Sequence, residues 1–375
     1  MRGTRRSRGA GTRRAARDAV MPVARGSTRP RTQALRMADA AAGSGVGIGV
    51  IGCGRIGQVH AKSVAAAKGA TLVAVSDVFE EFGLKLANAY GVEYEKDWKK
   101  MVEDPRIQGV VIGSPTPFHA EQIMACAAAG KDIFCEKPIS NDLAVIDECL
   151  AAVEKSKSRL MVGFQRRFDS NFLNIKKQIE AGAIGPVRMF QIVSRDPAPP
   201  PQEYLEKSGG IFLDMASHDF DMARFVTGAE IDEVYVCGTA FDPEAKGAND
   251  LDSLIMTLKM SDGSFGTIQN SRRCALGYDQ RIEVFGRDGI LTGNNKAPNT
   301  VTLSSATGVQ AGLPYSFFMD RYLDAYAGAI DAFVEMVKTG APPPCTGADG
   351  RAPIVAAKAA SLSAKENRPV KLSEV

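Results

Sequence analysis

Residues Gly52-Cys53-Gly54-Arg55-Ile56-Gly57 constrain this chain more than any other stretch, because of what stands on either side of them. An apolar run of strand length (47–51) leads in, helical spacing follows over 59–67, and a second strand (71–75) ends on Ser76-Asp77. Three spaced glycines alone describe a glycine-rich turn; inside a β-α-β unit each has its own task. Gly52 permits the tight turn, Gly54 lets backbone approach a pyrophosphate, and Gly57 lets the helix pack on the strand. The helix N-terminus adds unpaired N–H groups and the positive end of its dipole. Asp77, 25 residues after Gly52, can accept hydrogen bonds from ribose hydroxyls and repel a 2′-phosphate. Val78 offers no compensating cation, so the expected cofactor is NAD rather than NADP.

The alternation continues, with helices expected over 80–90, 97–102, 120–129 and 141–154 and strands over 92–94, 109–112, 131–135 and 159–163. A parallel sheet carries its cofactor along the carboxyl ends of its strands. The loops at those ends hold Arg55 and Ile56, then Ser114 and His119, then Glu136 and Lys137, and all six are assigned with the glycines and Asp77 to the cofactor edge. For His119, as for His60, a structural hydrogen bond competes with cofactor contact. From about residue 187 the pattern changes. Strands are expected over 187–195, 233–240, 253–260, 264–271, 281–285 and 301–303, with turn signals between them, which implies a largely antiparallel sheet. A proline loop (197–201) precedes a helix over 214–226, and helical periodicity returns over 322–338 and 354–364.

Bulk composition sets outer limits. A chain of 375 residues suggests two domains, and 45% apolar with 24% charged residues is globular composition. No run of eighteen apolar residues occurs, so no membrane span is expected. Seven cysteines are scattered without a Cys-x-x-Cys, which argues for reduced thiols in an intracellular protein. Three separated histidines offer no ligand cluster, and no metal is expected. The net charge is +3 overall but +10 over residues 1–36, which hold eleven arginines, no lysine and one acid, leaving −7 for the rest. No aromatic residue interleaves the arginines, so nucleic-acid stacking is unsupported. An Arg-rich, acid-poor leader has transit-peptide composition, directing a protein to mitochondrion or plastid; a start at Met21 or Met37 in the cytoplasm is the alternative. The expected division is a leader and linker over 1–45, a dinucleotide-binding domain over 46–168, and a substrate and oligomerisation domain over 169–375, its last helices packing back on the first domain.

Asp214 and His218 lie four residues apart on the helix expected over 214–226, so they share a face as a proton-handling pair. A surface Asp/His pair has the same spacing. Gly-Cys-Gly-Arg-Ile-Gly followed by His60, the turn Glu136-Lys137-Pro138, Arg166-Arg167-Phe168, and Gly209-Gly210 followed by Asp214 and His218 together resemble the glucose-fructose oxidoreductase/inositol dehydrogenase/rhizopine-catabolism family. The similarity runs from about residue 46 to the end. It implies an α/β protein with an N-terminal Rossmann domain and a C-terminal domain built on an open-faced, mostly antiparallel sheet. It also implies NAD-dependent oxidation of a polyol, myo-inositol to scyllo-inosose, by Lys137, Asp214 and His218. Arg166, Asp196 and Tyr278 line the polyol pocket by the same resemblance, and a homodimer or homotetramer forms through the open sheet face. A related aldose or cyclitol dehydrogenase, or a non-catalytic dinucleotide sensor, are the competing expectations.

The chemistry suits these residue types. Hydride leaves a secondary alcohol only as its hydroxyl proton departs, because the product is a neutral ketone. His218 can accept that proton near neutral pH. Lys137, held at a strand end by Pro138, can donate to the same oxygen, and is a rival for the role of base.

Overall fold

The computed structural model describes residues 45–375; the Arg-rich leader and the expectations placed on it lie outside them. The first six strands are β1 Val46–Ile51, β2 Ala70–Ser76, β3 Glu93–Tyr94, β4 Gly109–Ile112, β5 Asp132–Glu136 and β6 Leu160–Gly163. They form one sheet in the order β3-β2-β1-β4-β5-β6, and every pairing is parallel. β4 and β6 are buried along their whole length, as befits strands covered on both faces. The cover comes from α1 Arg55–Ala66, α2 Glu80–Tyr90, α3 Trp98–Glu103, α4 His119–Ala128 and α5 Leu143–Ser156. Asp97 and Asp142 cap α3 and α5 by accepting from the amides of Lys99 and Ala144, which is why those helices begin one residue after an aspartate. Strand order reverses between β1 and β4, and the crevice outside their carboxyl ends is where a dinucleotide fits.

The second half contributes α6 Ser170–Glu180, β7 Val187–Arg195, α7 Gln202–Ser208, α8 Ser217–Thr227, β8 Ile231–Thr239, α9 Pro243–Gly247, β9 Ser253–Met260, β10 Phe265–Ser271, β11 Asp279–Gly286, β12 Ile290–Gly293, β13 Thr302–Ser305, β14 Gly308–Ala311, α10 Phe318–Thr339, α11 Gly347–Glu366 and β15 Val370–Lys371. Its sheet runs β12-β11-β7-β10-β9-β8-β15, with β7 and β10 parallel and the other pairs antiparallel. The strand expected over 301–303 belongs instead to a separate β13–β14 hairpin. Alternation along β9 sets the two faces of the sheet: Leu254, Met256, Leu258 and Met260 point into the core, while Ile255, Thr257 and Lys259 point out. α8 and α11 cover the inner face, sharing that core through Phe220, Met222, Ala356 and Ala360. No described helix covers the outer face, which presents Met189, Ile255 and Phe265.

α10 returns to the first half. Ala329, Ile330, Phe333 and Val334 are buried in one cluster with Ile48, Val50, Val111, Phe134 and Met161 of the parallel sheet. Two buried ion pairs add to this union. Arg167, in the turn after β6, donates to Asp221 of α8, and Asp169 accepts from Arg321 of α10. Among the described residues no helix is long and apolar enough to cross a membrane.

Candidate active site

The cofactor edge is built as its glycines require. Gly52 has φ +90°, a left-handed conformation, and a Cβ there would meet Ser114 N at 2.7 Å. A Cβ on Gly57 would sit 1.8 Å from Gly52 O, so only glycine lets α1 pack this closely on β1. A Cβ on Gly54 would meet nothing within 4 Å, and Gly54 is the N-cap residue of α1, with no side chain capping the helix. Open space before an uncapped helix N-terminus suits a pyrophosphate. Asp77, at the end of β2, receives the Cys53 amide on Oδ2 at 2.6 Å and the Phe79 amide on Oδ1 at 2.8 Å. These bonds fix the carboxylate beside the glycine turn, each oxygen keeping a free lone pair for a ribose hydroxyl. Val78 beside it is exposed and uncharged. Arg55 is exposed over the Phe317 ring, and Ile56 packs inward against the second domain's core.

Three residues assigned to the cofactor edge also make structural hydrogen bonds. His119 is buried, with one ring nitrogen 2.7 Å from Pro138 O and the other 2.8 Å from Ser114 O. It braces the loops after β4 and β5 against each other, the structural role expected as the alternative to cofactor contact. Glu136 is held by His60, buried at 2.7 Å. The Ser114 hydroxyl donates to Gln122.

Glu136 ends β5 and hands the chain to Lys137, joined to Pro138 by a cis peptide bond. Lys137 Nζ reaches across to the second domain and donates to the main-chain carbonyl of Asp214 at 3.0 Å. That carbonyl is offered by a π-helical turn, Phe212–Ala216, running directly into α8, where a regular helix was expected from 214. A π turn widens the helix by one residue and disturbs the carbonyl ladder, and such turns concentrate at functional sites. Burial lowers the Lys137 ammonium from its usual value, opposed first by Asp214 and then by Glu136.

The Asp214 carboxylate does not bond to His218. Its Oδ1 accepts from Tyr204 of α7 at 2.9 Å and its Oδ2 from Arg272, just past β10, at 3.0 Å. The spacing of the Asp/His pair is real, but the carboxylate acts on Lys137 rather than on the imidazole. His218 has no hydrogen bond among the described residues. Its Nδ1 is buried without a partner, and its ring stands edge-on to Phe164 at 5.7 Å. Burial, then the positive charges of Lys137 and Arg166, hold it well below the ordinary imidazole value.

Around this centre lie the other assigned residues. Asp196 follows β7, and burial with Asp214 pushes its carboxyl up to about 6 against the pull of Arg272. Arg166 is not a free donor: its Nη1 is bound to Asp219 at 2.6 Å and its Nη2 to Ser194 at 3.2 Å, leaving Nε unpaired. Tyr278 is buried edge-on to Tyr322, and burial raises its hydroxyl well above the usual value. Tyr204 and Arg272 are site residues that the sequence reading missed. Arg272 had one readable signal, since Ser271-Arg272 ends a strand that pairs with the one ending at Arg195-Asp196.

The family model for the oxidoreductase family with an NAD-binding Rossmann fold matches residues 46–164, and the GFO/IDH/MocA C-terminal domain matches 172–292. The chain is 44% identical over 330 residues to a myo-inositol 2-dehydrogenase of Thermotoga maritima, covering 88% of this chain and 99% of that one. An inositol 2-dehydrogenase of Rhizobium meliloti is 43% identical with the same coverage. The solved structure of scyllo-inositol dehydrogenase from Lactobacillus casei, with bound NAD(H) and scyllo-inositol, superposes with a TM-score of 0.80 at 29% identity, covering 88% of this chain and 99% of that one.

The glycine geometry separates cofactor binding from folding. Gly54→Val should keep the wild-type melting temperature while weakening NADH binding about tenfold or more, measured by fluorescence titration. Gly57→Ala should lower both. A Gly54→Val protein that bound NADH normally would remove the pyrophosphate from this turn.

Proposed function

The chain belongs to the GFO/IDH/MocA family of oxidoreductases, and we infer that it is an NAD-dependent dehydrogenase oxidising myo-inositol to scyllo-inosose. What carries the reading is the meeting of a buried lysine from the nucleotide domain with Asp214 and His218 from the other, at the carboxyl edge of a parallel sheet. The two inositol dehydrogenases that the chain matches over nearly their whole length support the substrate.

Bound NAD supplies the hydride acceptor; Gly52, Gly54, Gly57 and Asp77 would hold it. The residues of the chain manage the proton. His218 is the proton acceptor: held neutral by burial and by two cations, its ring is committed to no other partner. Lys137 donates to the reacting oxygen as negative charge develops there, and its anchor on Asp214 O fixes the direction of its remaining N–H bonds. Asp196 and Tyr278 offer an acceptor and a donor to the other hydroxyls of a polyol. Arg166, committed to Asp219, contributes its charge and its unpaired Nε.

The outer face of the second sheet is the surface through which copies pair as a dimer or tetramer. Met189, Ile255 and Phe265 are each at least 40% exposed there, on neighbouring strands with no covering layer among the described residues. Light scattering should report a dimer or larger for the wild-type protein and a monomer for Ile255→Lys/Phe265→Glu; a wild-type monomer would refute the pairing.

An NADH-absorbance assay over a panel of inositols and aldoses, with NAD and NADP in parallel, tests the activity. Turnover is expected on myo-inositol with NAD, and activity confined to an aldose would overturn the substrate. Lys137→Ala should lose about a hundredfold or more in kcat while NADH still binds; wild-type turnover would sink the mechanism. The pH profile separates the two titrating groups. His218 lies well below its ordinary value and stays neutral through the weakly acid range, so kcat/KM should fall as pH drops through about 6, where Asp196 protonates. Asp196→Asn should flatten that limb. An unchanged limb would assign it elsewhere.

A further inference from the structure

Arg272 is 1% exposed, and its guanidinium lies against two carboxylates. Its amide donates to Asp252 O at 2.8 Å, fixing the first residue after β10. Nη1 lies 3.0 Å from Asp214 Oδ2, and Nη2 lies 3.5 Å from Asp250 Oδ2, beyond hydrogen-bond quality. Nε and Nη2 have no hydrogen-bond partner among the described residues. Asp250 in turn accepts the amide of Ile211 on its other oxygen, immediately before the π turn that carries Asp214. Asp196 is tied to the same place, because its amide donates to Ser271 O at 2.9 Å. One buried guanidinium therefore stands among three carboxylates from three separate segments.

Such a cation is costly to bury unless its geometry is used. The opposite oxygen of Asp214 receives Tyr204, so the carboxylate is held from both sides. Tyr204 is half exposed on α7, a helix set between the prolines of 197–201 and Gly209 and Gly210, both at positive φ. Without Arg272 the carboxylate would hang on that one peripheral hydroxyl.

We propose that Arg272 is the positioning residue of this site: it fixes the Asp214 carboxylate, and through it the turn whose carbonyl anchors Lys137, and it supplies the cation that offsets the Asp196–Asp214 pair. The inference rests on the dehydrogenase reading and deepens it. Arg272 touches no reacting atom; it acts through Asp214. The charged and titratable groups facing this cluster are Lys137 from the loop after β5, Arg166 from the turn after β6, Asp196 after β7, Tyr204 on α7, Asp214 on the π turn, His218 and Asp219 on α8, Asp250 before β9, and Tyr278 before β11. Among the charges acting on Asp196, Arg272 is the leading one that opposes its protonation, ahead of Arg166. Removing a nearby cation raises a carboxyl pKa, so the acid limb of activity must move to higher pH.

The experiment compares Arg272→Gln, Arg272→Lys and the wild-type enzyme by NADH binding, kcat, the pH profile of kcat/KM and crystal structure. In Arg272→Gln, NADH binding should stay within about twofold, while kcat falls about tenfold to a hundredfold, the cost of a small misplacement. The acid limb should rise by about half a pH unit or more. Arg272→Lys, which keeps the charge but not the planar fork, should return the limb to its wild-type position without restoring kcat. A residue that only fills space would not divide charge from geometry in this way. If Arg272→Gln does not fold, Arg272→Lys alone decides: wild-type kcat in that variant would overturn the proposal. Wild-type kcat together with an unmoved limb in Arg272→Gln would overturn it as well. If the wild-type enzyme oxidises no cyclitol, the proposed function fails on its own, and the variant crystal structure settles this inference: a displaced Asp214 carboxylate supports it, and one still in place between Tyr204 and its neighbours overturns it.

Discussion

The hydrogen bond from Lys137 Nζ to the main-chain carbonyl of Asp214 is the contact on which the rest of the site depends. It joins a strand end of the nucleotide domain to a helix start of the other domain, 77 residues away in sequence. A lysine taken out of water is unfavourable, and burial does pull this one below its usual value. The carbonyl, together with the negative charges of Asp214 and Glu136, offsets part of that loss. An acceptor on the backbone has an advantage over a carboxylate here. It cannot take up a proton, so the lysine keeps its anchor whatever the protonation of its neighbours.

Holding that bond requires the two halves to be fixed against each other, and the structure does so with buried charge as well as apolar packing. The turn after β6 carries Arg166 and Arg167, whose partners Asp219 and Asp221 lie two residues apart on α8. Asp169 is bound by Arg321 of α10, the helix whose Phe333 is buried in the core of the parallel sheet. Pairs of this kind are poor sources of net stability, but losing one partner strands a buried charge at a cost of about 3–5 kcal/mol. They therefore specify one relative placement of the domains. His60 on Glu136 and His119 across Ser114 and Pro138 do the same for the loops, which is how two of the three histidines in the chain are used.

The parallel half was legible because its signals are local. β4 falls on residues 109–112 and α2 on 80–90, as their patterns indicate, and the glycines behave as their spacing required. What stayed hidden depends on contacts distant in sequence. β12 and β15 are short edge strands, four and two residues long, that exist by pairing with β11 and β8. The π turn at 212–216 looks like any helix start, since the pattern of Phe212, Met215 and Ala216 fits either width. Tyr204 was invisible for the same reason, and Arg272 had only its place at a strand end to mark it. Their importance lies in converging on one carboxylate from positions 68 residues apart, and neither has a motif of its own. Placing Asp214 with His218 was correct in position but not in partnership, because spacing fixes a face and not the hydrogen bonds made from it.

Charge balance explains why this site needs so many acids around one lysine. Oxidation of an alcohol to a neutral ketone leaves a proton behind, and accepting it on His218 would place a third cation beside Lys137 and Arg166. Those two already disfavour it, as the depressed imidazole shows. A base with that setting takes the proton reluctantly and gives it up readily, which suits an enzyme that must return to its starting state each cycle. Asp214, Glu136 and Asp196 act instead on Lys137, opposing the loss of its charge. Asp196, pushed up to about 6, stands closer to neutrality than an ordinary aspartate and can itself share the proton. The low dielectric that makes the buried lysine costly is what lets neighbouring carboxylates act on it strongly, so the acids belong to the proton chemistry as much as to substrate recognition.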